Sequence, residues 1–281
     1  MAVPLESSYQ WCRRVARTRA RNFYYSFVLL RREQRDAMCA LYAFMRYCDD
    51  LSDEPGANRA SIEQWRAALD DALAGRCDAN PVLPAFHDTV TRYRIPPRYF
   101  HEMIDGVASD LEPRSYETFD QLYGYCYQVA STAGLTTIHI LGFDSPGALP
   151  LAEKCGIAFQ LTNILRDLRE DAARGRIYLP AEDLVRCGVT AEDIRAGVRT
   201  PEFIDLMDFE TARARSYYQE SQPLVDLIHP GGRASLTALI AIYSRLLDRI
   251  ERTNYDVFAR RISLPAREKS WIVLKSLWSH K

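Results

Sequence analysis

The sequence predicts an all-α fold, and three observations carry that reading. Apolar residues recur at helical spacing through nearly every segment, while alternating runs that would read as strands are almost absent. No G-x-G-x-x-G, P-loop or G-x-S-x-G sequence occurs, so the α/β architectures built on those loops have no foothold. Two stretches far apart in the chain each place aspartates four residues apart, on one face of a helix. With no repeat of 20–50 residues, the expectation is one domain over residues 1–281, a bundle of ten to twelve helices.

Taken in order, residues 5–21 read as a helix bearing Arg13, Arg14, Arg17, Arg19 and Arg21. That face is either solvated or turned toward phosphate or a membrane. Asn22-Phe23-Tyr24-Tyr25-Ser26-Phe27 follows as a loop or short helix, its aromatics packing a core or walling a site that handles a cation. Residues 32–52 form the first acidic helix, stopped by Glu54-Pro55-Gly56. Ser61 with Gln64 reads as a capping box for a helix over 62–73. Prolines bracket a helix over 83–93, and Pro97 suits the first turn of another over 98–111. Asp105 and Asp110 on that helix read as ordinary surface or edge charges.

Residues 115–143 form a long helical region with an unusually small centre, Val129-Ala130-Ser131-Thr132-Ala133-Gly134. Small side chains there serve equally for close helix approach or for leaving ligand volume. After a loop over 142–150, residues 149–171 form the second acidic helix, with Gly156 its only internal breaker. Arg174-Gly175-Arg176-Ile177-Tyr178-Leu179-Pro180 is either a lid or a plain connector. Short helical turns follow at 181–188 and 190–197, then a mixed-charge helix over 201–225 and a break at Gly231-Gly232. An amphipathic helix over 233–253 ends at Asn254 and Tyr255. Pro265 opens a last helix through Trp278, whose Trp271, Leu274 and Trp278 stripe suits a core or a membrane surface.

Composition narrows the classes. Hydrophobic content of 47% and charged content of 26% are ordinary for a globular protein, and a net charge of −1 argues against nonspecific nucleic-acid binding. Seven scattered cysteines without a C-x-x-C fit reduced thiols in a cytoplasmic protein, and five histidines without H-x-x-x-H spacing argue against zinc. The first residues lack an apolar signal core, and no run of 18 apolar residues occurs.

The chemistry sits in the two acidic stretches. In the second, Gln160, Asn163, Asp167 and Asp171 share a face, with Arg166, Arg169 and Arg174 near enough to neutralise the acids on a solvated helix end. In the first, Tyr42, Arg46, Asp49 and Asp53 share a face. Two such faces opposed in a bundle would surround a space with carboxylate oxygen. That suits Mg²⁺, which takes oxygen ligands and keeps several waters.

With both motifs quoted, the chain resembles the squalene/phytoene synthase family of head-to-head prenyl transferases. The family motifs read here Asp49-Asp50-Leu51-Ser52-Asp53 and Asp167-Leu168-Arg169-Glu170-Asp171, flanked by Tyr42, Arg46, Tyr125-Cys126-Tyr127, Gln160, Asn163, Arg166 and Arg176-Ile177-Tyr178-Leu179-Pro180. Segments 22–27 and 172–180 are most similar to bacterial presqualene diphosphate synthases of hopanoid pathways. Asn22 departs from the family's usual Ser.

The resemblance implies an isoprenoid-synthase-type bundle with a central cavity that condenses two farnesyl diphosphates to presqualene diphosphate. Asp49, Asp53, Asn163, Asp167 and Asp171 would hold two or three Mg²⁺ ions. Asn22, Arg46, Gln160, Arg166, Arg176 and Tyr178 would bind substrate, and Phe23, Tyr42 and Tyr255 would shield a carbocation. Tyr125 or released diphosphate would accept the proton. Full squalene synthesis with NADPH, and phytoene synthesis from two geranylgeranyl diphosphates, are the alternatives; NADPH is not expected to be required. No obligate protein partner is readable. The expected location is the cytoplasm, with peripheral contact to the inner membrane.

Overall fold

Helices α1 (Leu5–Arg19), α2 (Phe23–Phe27), α3 (Arg32–Asp53), α4 (Arg59–Leu73), α5 (Leu83–Tyr93) and α6 (Arg98–Ser109) open the chain. Then come α7 (Phe119–Cys126), a π-helical turn (Tyr127–Ser131), α8 (Thr132–Leu141) and the 26-residue α9 (Ala148–Ala173). The rest is α10 (Ala181–Cys187), α11 (Ala191–Ala196), α12 (Pro201–Ser221), α13 (Leu224–Leu227), α14 (Pro230–Arg252) and α15 (Ala266–Trp278). This computed structural model describes residues 3–20, 22–53, 57–78, 80–112 and 115–279, apart from the side chain of Asp53. Among them no strand forms, only an isolated bridge between Phe143 and Ile228. The fold is all-α as expected, with more helices than expected because several are single turns.

Two local expectations are corrected. The cap near residue 60 is Asn58, whose side chain accepts from the Ser61 amide, so α4 starts three residues before the expected 62. Gly231 and Gly232 do not break the chain: they lie in the first turn of α14, behind Pro230. A proline fits there because its missing N–H has no partner to lose. Gly232 is needed for space, since a Cβ would sit 2.8 Å from Leu141 Cβ. The region over 115–143 is helical from Phe119 to Leu141. It passes through the π turn, where the Thr132 amide reaches back to the Tyr127 carbonyl.

Two apolar cores flank α9. The first gathers α1, α3 to α6 and α8, with Phe44 stacked on Phe86 at 4.1 Å between ring centroids. The second gathers α7, α10 to α12, α14 and the segment after it. α9 serves both: Ala148, Ala152 and Cys155 enter the first, while Ile157, Leu161, Ile164, Leu165 and Leu168 enter the second. Its 26 residues span about 39 Å at 1.5 Å per residue. Phe23 and Phe159 pack against both cores.

The changeover falls at Gly156. A Cβ there would lie 2.5 Å from Ser131 Cα and 2.9 Å from the Ala130 carbonyl carbon. These are backbone atoms and cannot swing aside. A Cβ on Gly134 of α8 would likewise lie 3.0 Å from the Ala152 carbonyl oxygen. The small stretch 129–134 therefore does permit close approach, here of α9 to the π turn and α8.

Gly156→Ala should destabilise the protein by about 1–3 kcal/mol, the usual cost of overpacking, although alanine favours a helix. Gly124→Ala on α7, where a Cβ would meet nothing within 4 Å, should stabilise by about 0.5–1 kcal/mol. Urea unfolding of both variants checks this. Equal effects of one sign would show that the crossing does not depend on the missing Cβ.

Candidate functional site

A cavity of about 940 Å³ opens between the two cores. α3 sends Tyr42, Arg46 and Asp49 into its lining, and α9 sends Gln160, Asn163, Arg166, Asp167, Glu170 and Asp171. The steps of three and four put these side chains on one stripe of each helix, and the fold turns both stripes to the same space. The side chain of Asp53 lies outside the described residues. The small stretch contributes Val129, Ala130, Ala133 and Gly134 to the lining, so it leaves volume as well as permitting contact.

The acidic face of α9 is unevenly compensated. Asp167 accepts from Arg166 Nε at 2.7 Å and from Arg261 Nε and Nη2 at 2.7 and 3.0 Å. Burial alone would raise its carboxyl, but hydrogen bonds from Arg166 and Arg261 outweigh burial and hold it below its ordinary value. Asp171, one turn on, is pushed up to about 7 by burial and by the charge of Asp167, with Arg174 and Arg176 opposing. Of the three arginines near the acids in sequence, Arg166 does pair with one. Arg169 instead donates to the carbonyls of Phe258 and Ala259. On α3, Asp50 pairs with both Arg46 and Arg19.

Among the described residues no three Asp, Glu, His or Cys side chains converge into a metal cage. The donor chemistry nonetheless fits Mg²⁺. One Glu170 carboxylate oxygen and the Asn163 amide oxygen are buried without a hydrogen-bond partner, and Asp49, Asp167 and Asp171 line the same cavity. Magnesium is usually held by one or two carboxylates plus substrate phosphates and water, so a complete protein cage is not required.

A strap closes one side. After α9, Gly175 takes a φ of 78°, and the Asp171 carbonyl accepts from the amides of Arg174 and Arg176. Arg176 then donates to the Ser52 carbonyl at 3.3 Å and the Asp110 carbonyl at 2.9 Å, joining the ends of α3 and α6. Tyr178 and Tyr125 each donate a hydroxyl to the Asp110 carboxylate, at 3.0 and 2.9 Å, and their rings stack at 5.1 Å. Arg174, Arg176 and Tyr178 all line the cavity, so the segment is more than a connector. Burial, then the nearby Asp110 charge, lifts the Tyr125 phenol well above its ordinary value. As a neutral group donating to Asp110, it is poorly placed to be a base.

Another part of the lining is aromatic. Phe23 lies 6.2 Å from Tyr42 and 5.5 Å from Tyr243, which stacks on Phe159 at 4.4 Å; all four line the cavity. Asn22 also lines it, as do the buried Leu41, Ile138 and Leu236. The structure does not bring Tyr255 here. Its left-handed backbone (φ 60°) turns the chain out of α14, and its hydroxyl donates to Asp208 on α12 at 2.9 Å. It packs the second core instead.

Sequence reasoning missed Asp110, Glu170, Tyr243 and Arg261. A tyrosine amid the apolar stripe of α14 was a usable signal, since a buried hydroxyl seeks a partner. Nothing local marks Asp110, whose three contacts come from residues 15 to 68 positions away.

The family model for squalene/phytoene synthase matches residues 16–268. The chain is 37% identical over 266 residues to phytoene synthase 1, chloroplastic, of Arabidopsis thaliana, covering 92% of this chain but 63% of that relative, less than two thirds of its length. It is 36% identical to the 15-cis-phytoene synthase of Synechococcus elongatus, covering 94% and 91%. A crystal structure of a dehydrosqualene synthase in complex with ligand superposes with a TM-score of 0.92 at 28% identity, covering 98% of this chain and 97% of that one.

Asp110→Ala would strand two buried tyrosine hydroxyls and should cost about 2–4 kcal/mol, while Asp110→Asn, which keeps one acceptor oxygen, should cost about half that. Denaturant unfolding decides; an Ala variant as stable as the parent would remove Asp110 from its assigned structural role.

Proposed function

The chain belongs to the squalene/phytoene synthase family, and on that premise we propose that it condenses two farnesyl diphosphates head to head to presqualene diphosphate, releasing one diphosphate. The observation that carries this reading is the cavity itself. Carboxylates from α3 and α9 meet Arg46, Arg166 and Arg176 on one side of it, with aromatic and aliphatic walls beyond. A prenyl diphosphate has the same division, an anionic head and a long apolar tail.

Asp49, Asp167, Asp171 and Asn163 would hold Mg²⁺, with Asp53 assigned by its motif. When bound, the metal neutralises diphosphate charge and makes it a better leaving group. Arg46 and Arg176 add charge-assisted hydrogen bonds to phosphate oxygen. Arg166 and Arg261 already spend donors on Asp167, so their first task is to hold that carboxylate ionised and oriented. Gln160 and Asn22 complete the polar lining.

The C–O bond of one substrate breaks, its electron pair leaving with diphosphate and an allylic cation remaining. The C2–C3 double bond of the second substrate attacks that cation. Loss of one proton closes the cyclopropane, and the second diphosphate stays on the product. Released diphosphate is the better acceptor for that proton, because Tyr125 is neutral and committed as a donor to Asp110. Phe23, Tyr42, Phe159 and Tyr243 exclude water, which would otherwise quench the cation, and their ring faces favour nearby positive charge. NADPH is not needed for this half-reaction.

A second reading, condensation of two geranylgeranyl diphosphates toward phytoene, is favoured by the 36–37% identity to phytoene synthases. The likeness to a dehydrosqualene synthase over 98% of the chain favours the farnesyl substrate.

Purified protein with Mg²⁺ and each substrate, with and without NADPH, separates these readings by mass spectrometry. Presqualene diphosphate from farnesyl diphosphate in both reactions is the expected outcome. Squalene formed only with NADPH would extend the activity, and turnover of geranylgeranyl diphosphate alone would replace the substrate. A second expectation concerns protons. Asp171 is protonated in the metal-free protein below about 7, so Mg²⁺ must displace that proton. Calorimetric Mg²⁺ affinity measured with a thiodiphosphate analogue should rise up to about tenfold per pH unit below pH 7 and flatten above it. Asp171→Asn should abolish that slope; an unchanged slope would exclude Asp171 as the titrating group.

A further inference from the structure

Helix α15 has two unlike edges. Its inner edge buries Lys269 and Ser276, and Lys269, with Ile262 and Ser263 just before the helix, lines the cavity. Its outer edge exposes Trp271 (65%), Trp278 (73%), Leu274 and Leu277. Four of the ten exposed large hydrophobic side chains among the described residues thus fall on 13 residues of helix, while the other six are scattered. At 100° per residue, Arg267, Trp271, Leu274 and Trp278 share one side, with Lys275 at its edge.

The charge on that outer edge has one sign. Arg267 and Lys275 are exposed. The helix's single acid, Glu268, is turned away and held by Arg245 and Arg249 of α14 at 2.6 and 2.9 Å. Two indoles and two leucines bordered by basic residues, with no acid among them, make a surface for an interfacial membrane helix. A second copy of the chain would face the same positive charge across a two-fold contact, which repels; anionic headgroups attract it.

We infer that α15 docks the protein on an anionic lipid surface through Trp271, Leu274, Leu277 and Trp278, with Arg267 and Lys275 against the headgroups. Because the other edge of this helix walls the cavity, docking sets the cavity directly behind the bilayer surface. Resting on the proposed activity, this gives long prenyl tails a short path between bilayer and site. The docking itself is measured without substrate, so its failure and the failure of the proposed activity are separate results.

The test is flotation of the purified full chain with vesicles of phosphatidylcholine alone and with phosphatidylglycerol added, alongside tryptophan emission. The protein should float with the anionic vesicles, less so as salt rises, with a blue shift of emission. The double variant Trp271→Ser, Trp278→Ser should lose about tenfold or more in vesicle affinity, with unchanged circular dichroism because both side chains are exposed. Arg267→Gln with Lys275→Gln should lose the preference for anionic lipid. No flotation at low salt, or flotation undiminished in the tryptophan variant, overturns the inference. So does a concentration-dependent dimer in sedimentation that the tryptophan variant abolishes while vesicles go unbound.

Discussion

Helix α9 lies where it does because nothing larger than hydrogen projects from Gly156 toward the backbone of Ala130 and Ser131. That contact brings the longest helix against the π turn and lets its two halves serve different cores. The π turn widens the opposing helix at the point of crossing, and such turns recur at functional sites. Ser131 adds a tie by donating to the Glu153 carbonyl at 2.8 Å. The cavity follows from this geometry: the small residues that let backbones meet on one side leave unfilled volume on the other.

Electrostatics then decides the character of the site. Two carboxylates one turn apart in a buried place cannot both ionise at no cost. The structure resolves the conflict asymmetrically: Asp167 takes two arginines and stays ionised, and Asp171 is pushed up to about 7. A site arranged this way favours arriving positive charge and is costly without it. The strap through Arg176 adds rigidity, because one guanidinium bonds the carbonyls that end α3 and α6. The first acidic helix is therefore held against the segment that leaves the second.

Much of this was legible in the residues. Helix α5 runs over Leu83–Tyr93 as its bracketing prolines indicate, and Asn254 and Tyr255 do end α14 with left-handed backbone. Errors came where a local rule had two solutions. Ser61-x-x-Gln64 has the pattern of a cap, but Asn58 stands in position to take that role. Gly231-Gly232 has the composition of a break, but behind Pro230 it begins a helix. Tyr255 has the chemistry of a cation shield, but a positive φ aims it at Asp208.

The sequence by itself determined the helices, their polar stripes and the family, because helical period and motif spacing are properties of neighbouring residues. It also determined that two acidic faces exist and which residues share each. Tertiary structure alone decided that both faces line one cavity, that Arg261 reaches Asp167 across 94 positions, and that Asp110 anchors two tyrosines and an arginine. It alone left the tryptophan edge of α15 uncovered. The physical reason is range: a helix is specified by contacts three and four residues apart, whereas ion pairs, buried acceptors and exposed faces depend on which helices pack together.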